Sequence, residues 1–255
     1  MSRSLEKFTR MYRLFARMRF DANRVYALVD TRAEANVEPL HAIMREWAQS
    51  TLKGFRVDLQ LSGAQPSSGS EPMLFVGNHI SYLDIMCLMA VAPVVFVAKQ
   101  ELVGWPVVGR AARSVGTVFV QRKSKDSRRN AGEAIARHFE EHKSSICIFP
   151  SGTTTLDEAK PWRWGAFEIA RRYGLKIQPF RIAYRPLRKV AFIDDEALLP
   201  HLWHLLEEAR IECSLEFSSP VFVTSPETDC RAWQDWNRKS LERFASTHSG
   251  TKGSF

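Results

Sequence analysis

Between residues 73 and 183, short apolar runs at 73–77, 94–98, 115–121, 146–149 and 177–183 alternate with stretches of helical periodicity at 81–90, 110–114, 124–142 and 162–173. Strand, helix, strand is the spacing of a crossover unit, which joins parallel neighbours. Strands covered by helices on both faces read as near-continuous apolar runs, as MLFVG and VVFVA do here. The alternation predicts an α/β fold with a mixed, largely parallel central sheet flanked by helices. Upstream, a helix opens at Pro39, runs through Lys53 and is ended by Gly54, FRVDLQL alternates as a strand, and SGAQPSSGSEP is a loop. Residues 99–110 read as loop, SLEFSSPVFV adds late strand material, and 247–255 read as a disordered tail. The expected organisation is one domain over 39–246 preceded by a helical segment over 1–38.

That first segment is strongly basic. Arg3, Lys7, Arg10, Arg13, Arg17, Arg19, Arg24 and Arg32 stand against Glu6, Asp21 and Asp30, and they carry much of the formal net charge of +8. A surplus of this kind asks for an anionic partner, lipid or nucleic acid. Leu5, Phe8, Met11, Tyr12, Phe15 and Met18 fall at steps of a helix, so the segment predicts a basic amphipathic helix. Two readings fit it: a helix lying in the interface of an anionic bilayer, or one packed on its own domain with a solvated basic face. The nucleic-acid class lacks a helix-turn-helix, RNA-recognition or zinc pattern.

A membrane span is excluded by length, since the longest uncharged run, 85–98, has 14 residues and contains Pro93, against about 20 for a spanning helix. Charges threaded through the first twenty residues deny them the apolar core of a secretory signal. Cys87, Cys147, Cys213 and Cys230 are scattered without CxxC spacing and read as reduced thiols serving as small hydrophobes, in a cytoplasmic setting.

Chemistry concentrates in MLFVGNHISYLD, residues 73–84, where an apolar strand runs into Asn78 and His79 and a carboxylate follows at Asp84. Positions five apart diverge on a regular helix. The two side chains meet only if His79 occupies the turn after the strand and Asp84 the first turns of the next helix. His79 then stands at the carboxyl end of a sheet strand, where open α/β sheets bind ligands. A carboxylate on one ring nitrogen sets the tautomer and leaves the other nitrogen basic, as proton removal from a hydroxyl requires. The competing reading is an Asp that only caps the helix and a His that only bonds a loop.

NHISYLD resembles the first motif of the glycerolipid acyltransferase family, the lysophosphatidate acyltransferase-like enzymes. The resemblance continues in order through FVAKQELVGWPVVGRAARSVGTVFVQR, with Lys99, Glu101, Leu102, Pro106, Gly109, Gly116 and Arg122 in place, then IFPSGTTT, WRWGAFEIARRYG with Arg163, and IQPFRIAY with Pro179. It covers roughly residues 40–225. It implies His79 as general base and Asp84 as its orienting partner, with direct attack of a lysolipid hydroxyl on an acyl thioester. Acyl-CoA or acyl carrier protein would be a co-substrate, with no metal and no tightly bound cofactor. The site implied includes Asn78, Ser81, Lys99, Arg122, Ser151, Gly152, Thr153 and Arg163. Arg122, with Lys123, Arg128 and Arg129 nearby, suits a phosphate, and Gly152 with Thr153 would bring backbone donors to the acceptor or the developing oxyanion.

Two positions depart from the pattern. Ser151 stands where the family's third block has Glu, and Thr154 where an Arg often follows. Both changes remove charge near the acceptor; Arg122 keeps a lysophospholipid such as 1-acylglycerol-3-phosphate the expected acceptor, and a lyso-aminolipid such as lyso-ornithine lipid, whose enzymes more often carry a Thr-Thr pair in the third block, is the alternative. The family's apolar N-terminal membrane helices are replaced by a basic amphipathic one, which implies peripheral attachment on the cytoplasmic face of the membrane. A non-catalytic lipid- or carrier-binding relative is the alternative to an enzyme. His201 and His204 read as solvated helix residues rather than metal ligands, and FPSGTTT is neither a nucleophile elbow nor a phosphate loop.

Overall fold

The structure, a computed structural model, describes residues 3–30, 37–67, 71–104, 109, 112–113, 117–120, 125–142, 144–193 and 196–246. Among the described residues eight strands form one sheet: β1 (Val57–Gly63), β2 (Leu74–Gly77), β3 (Val94–Lys99), β4 (Val118–Val120), β5 (Ser145–Ile148), β6 (Lys176–Arg185), β7 (Ile211–Phe217) and β8 (Val221–Phe222). Their order is β1-β7-β6-β2-β5-β3-β4, with β8 beside β6. The run from β6 to β4 is parallel throughout. β7 and β8 pair antiparallel to β6, and β1 runs parallel to β7. The mixed, largely parallel sheet is the one the alternation predicts.

The described helices are α1 (Arg3–Asp30), α2 (Val37–Gly54), α3 (Leu83–Val91), α4 (Lys125–His142), α5 (Gly165–Arg172), α6 (Leu187–Val190), α7 (Leu198–Leu205) and α8 (Pro226–Ser246), with a 3-10 turn at Gln100–Gly104 in place of the expected loop. They cover both faces of the sheet. Phe75 of β2 points into a core shared with α2 and α3, while its neighbours Leu74 and Val76 point into a second core containing Ile135, Phe167 and Ala170 of α4 and α5. Successive strand side chains face opposite ways, so a strand with helices on both sides is apolar at every position.

Three local expectations need correcting. Gly54 does not end α2 through its backbone freedom: it lies in the last helical turn, and Arg56 takes the left-handed conformation at φ 56°. Gly54 is small for a packing reason, since a Cβ there would stand 2.7 Å from Leu14 Cδ2 of α1. The strand after it begins at Val57 rather than Phe55, because Phe55 is drawn into the core. Helix α5 begins at Gly165, three residues later than expected, since Trp162 is buried ahead of it.

Helix α1 packs on the domain, with Met11 and Leu14 against the α2 core. Its cations are largely used in doing so. Arg10 donates to the Gly54 and Leu206 carbonyls, at the ends of α2 and α7, where a cation suits the helix dipole. Lys7 pairs with Glu207, and Arg17 and Arg24 pair with Asp21 and Glu46. Large apolar side chains face outward, since Leu5, Phe8, Tyr12 and Phe20 are exposed, with Arg13 and Arg19 beside them. No helix among the described residues is long and apolar enough to cross a membrane. The tail at 247–255 lies outside the described residues.

Candidate active site

Parallel order brings the carboxyl ends of β2 and β5 side by side. Asn78 and His79 leave the first, and Phe149, Pro150 and Ser151 leave the second, so two segments about seventy residues apart in sequence share one rim. The backbone ties them directly, since Thr155 N–H donates to the His79 carbonyl at 2.8 Å.

His79 occupies the turn and Asp84 the first turn of α3, as the spacing requires. Nδ1 stands 2.7 Å from Asp84 Oδ2. An ionised carboxylate only accepts, so Nδ1 carries the hydrogen and Nε2 keeps its lone pair. No described residue bonds Nε2. The imidazole lies flat on Phe149, the residue after β5, with ring centroids 3.9 Å apart and planes 11° from parallel. Two neighbours, Asp84 of α3 and Phe149 after β5, thus define its plane.

Asp84 is 0% exposed and fully hydrogen-bonded. Besides the imidazole, Oδ2 accepts from Ile80 N–H at 2.7 Å and Ser81 N–H at 3.0 Å, while Tyr184 O–H donates to Oδ1 at 2.7 Å. Asp84 therefore ties down the turn that leads into α3 and holds His79 with the same group. With four donors around it, and no Lys or Arg paired to it among the described residues, this buried anion is stabilised by dipoles.

The remaining expected site residues divide clearly. Asn78 is buried, its amide exchanging two 2.8 Å bonds with the carbonyl and N–H of Ile182, which extends the β2–β6 pairing one residue past Gly77. Ser81 is buried behind Asp84. Ser151 is turned inward, its hydroxyl donating to the Thr153 carbonyl at 2.7 Å. Gly152 has φ 71° and its N–H is engaged by the Phe149 carbonyl at 3.0 Å, whereas Thr153 is exposed. Arg163 is exposed, and its N–H ties the loop to the Pro150 carbonyl. The side chain of Lys99, at the end of β3, and all of Arg122 and Lys123 lie outside the described residues, as do the side chains of Arg128 and Arg129.

Several neighbours escape sequence reasoning. Glu158 is buried, taking hydrogen bonds from Trp162 Nε1 and from the Thr155 hydroxyl at 3.5 Å; burial pushes its carboxyl up to about 7, with those bonds working against the rise. Its signal is hidden because LDEAK reads as solvated loop. Thr154 donates to the Phe192 carbonyl, and Phe192 N–H donates to the Ile80 carbonyl at 3.0 Å, so residue 192 bridges both site loops. His201 corrects an expectation: it is buried, accepts from the Tyr82 hydroxyl at 2.9 Å on Nδ1 and sets Nε2 3.1 Å from the Ala191 carbonyl. Burial lowers its pKa, which keeps the ring neutral in that role. Among the described residues no cluster of three His, Cys, Asp or Glu is placed to hold a metal ion.

Residues 58–183 match the family model described as Acyltransferase. The chain is 34% identical over 193 residues to a lyso-ornithine lipid O-acyltransferase of Pseudomonas aeruginosa, a similarity covering 73% of each protein. It is 31% identical over 151 residues to a 1-acyl-sn-glycerol-3-phosphate acyltransferase of Neisseria gonorrhoeae, covering 57% of this chain and 58% of that protein. Its fold is similar to that of the 1-acyl-sn-glycerophosphate acyltransferase PlsC of Thermotoga maritima, with a TM-score of 0.64 at 18% identity over 94% of this chain and 98% of the other.

Proposed function

Because the chain belongs to the acyltransferase family, we propose that it moves a fatty acyl group from an acyl thioester, on coenzyme A or acyl carrier protein, to the hydroxyl of a lysolipid. The observation that carries the reading is the 2.7 Å bond from His79 Nδ1 to a buried Asp84, with the opposite ring nitrogen unengaged among the described residues. In this reading Nε2 takes the acceptor's hydroxyl proton as its oxygen attacks the thioester carbonyl. The C–S bond then breaks, the thiolate recovers the proton from the imidazolium, and the products are an ester and a free thiol. Asp84 stays ionised and steadies the imidazolium. Thr153 is better placed than Gly152 to offer a backbone donor to the oxyanion, since the Gly152 N–H is already used within its turn.

For the acceptor, the reading favours a lyso-ornithine-type lipid over 1-acylglycerol-3-phosphate. Ser151 and Thr154, which replace charged residues of the family pattern, both spend their hydroxyls on main-chain carbonyls and present no charge to a head group. Arg122 remains the feature that suits a phosphate. Attachment is peripheral, on the cytoplasmic face of a membrane, through the outward apolar side of α1.

The test is thiol release by purified protein given acyl-CoA or acyl carrier protein with a panel of lysolipids. His79→Ala should reduce turnover by about 100-fold or more with an unchanged circular dichroism spectrum. A variant that keeps full rate ends the assignment of His79. Ser151→Glu should move preference toward the phosphate acceptor, and an unmoved preference removes Ser151 from head-group choice.

A further inference from the structure

We propose that Tyr184 is a positioning residue for proton transfer at His79, acting through Asp84: its hydroxyl holds the carboxylate oxygen that the imidazole does not use. The inference rests on the reading of His79 as general base.

Both bonds to the carboxylate are short, 2.7 Å from His79 Nδ1 to Oδ2 and 2.7 Å from the Tyr184 hydroxyl to Oδ1. They sit on opposite oxygens. Of the four donors around Asp84, three converge on Oδ2 and belong to its own turn, residues 79, 80 and 81. Tyr184 is the one described donor to Oδ1, and it comes from a different element, a hundred residues further along the chain. Without it a buried charged oxygen has no partner, and rotation about the last side-chain bond of Asp84 is held from one end only. With it the carboxylate plane is pinned at both oxygens, and the direction of the His79 bond is fixed in turn.

Tyr184 is suited to this by its own surroundings. It is 1% exposed, and burial pushes its phenol well above the ordinary range, with the Asp84 charge adding to the rise, so the group stays protonated and donates. Its other polar neighbours are the Cys87 thiol at 3.6 Å and the Cys213 thiol, both weak partners. Its strand does a second task two residues earlier, where Ile182 clamps the Asn78 amide. β6 therefore holds the turn on both sides of His79, through the residue before it and through the carboxylate after it.

The hydroxyl also sets basicity. A donor on Oδ1 draws charge from Oδ2 and weakens its hold on the imidazolium. Removing the donor should make Asp84 a better partner for the charged ring and move the acid limb of kcat/KM to higher pH. A tyrosine that only fills volume has no such effect.

The experiment compares wild type with Tyr184→Phe, which deletes one oxygen and keeps the ring. The expected result is a kcat about tenfold lower, KM values within about twofold, and an acid limb displaced upward by about half a pH unit or more. An acid limb that stays in place overturns the proposal, whatever happens to kcat. Should Tyr184→Phe fail to fold, site-specific 3-fluorotyrosine at 184 supplies a stronger donor of nearly the same shape; the limb should then move to lower pH, and an unmoved limb again overturns the proposal. His79→Ala run in parallel separates the two failures: if it retains turnover, the reading of His79 is wrong, and if it is inactive while both Tyr184 variants titrate as wild type, only the role of Tyr184 is lost.

Discussion

Glu158 is a carboxyl group that the fold keeps dry, 3% exposed beneath the loop that carries Ser151 and Thr153. Its pKa is raised from 4.5 to about 7, chiefly by burial. A carboxyl raised in the folded state contributes stability that is complete below its unfolded pKa and is lost as pH rises through the folded one. The window here runs from about pH 4.5 to about pH 7, and the size of the effect is on the order of 3 kcal/mol. Thermal melts of wild type and Glu158→Gln should therefore diverge as pH rises, the variant gaining on wild type between about pH 4.5 and about pH 7; parallel curves would show that the carboxyl titrates normally. His79 and Asp84 are legible at this scale because their spacing only works across a strand-to-helix turn. Tyr184, Phe149 and Glu158 are not, because each acts across the chain on a partner that no local pattern names. Ser151 is legible as a departure from a motif, but its inward hydroxyl bond depends on a turn that sequence does not specify.

Elements explain why the site lies at one rim. β2 is flanked by β5 and β6, and the turn that carries His79 begins where β2 ends, so the β2–β6 register positions the imidazole. Gly77 closes that register under steric pressure: a Cβ there would come within 2.5 Å of the Phe180 carbonyl oxygen and 2.6 Å of its ring. Gly77→Ala should cost about 1–3 kcal/mol and displace the turn, so melting temperature and turnover fall together. Gly165→Ala is the contrast, since nothing stands within 4 Å of a Cβ at the start of α5; it should retain activity and gain up to about 1 kcal/mol. Equal losses at both glycines would mean that β2–β6 packing is not what confines the site. The alternation of runs is enough to foresee the parallel sheet, because its strands are apolar on both faces. Helix α8 escapes notice although Ser225 and Pro226 mark its start, because buried Asn237 interrupts the apolar positions Cys230, Trp233 and Leu241.

For the whole molecule the telling feature is that α1 is turned the opposite way from a helix held to lipid by charge. Lys7, Arg10, Arg17 and Arg24 bond the domain, the last two through Glu46 of α2, while Phe8 and Tyr12, 64% and 74% exposed, share the outer face with Leu5, and Arg13 and Arg19 remain exposed beside them. Phe8 also stacks edge-on against Trp203 of α7 at 4.8 Å, and Leu199, one turn before that tryptophan, is 60% exposed. An apolar surface of this kind gains more from the acyl boundary of a bilayer than from its surface charge, since burying one large side chain contributes about 1.5–3 kcal/mol. Retention on phosphatidylcholine vesicles should therefore persist, and adding anionic lipid should strengthen it only modestly through the two exposed arginines. Phe8→Ser with Tyr12→Ser should weaken vesicle binding by about 100-fold while leaving thiol release with a short-chain, water-soluble acceptor unchanged. If instead binding requires anionic lipid, vanishes at about 0.5 M salt and survives the double substitution, charge is the anchor, and the ion pairs that α1 makes with its own domain must then open when it meets a membrane.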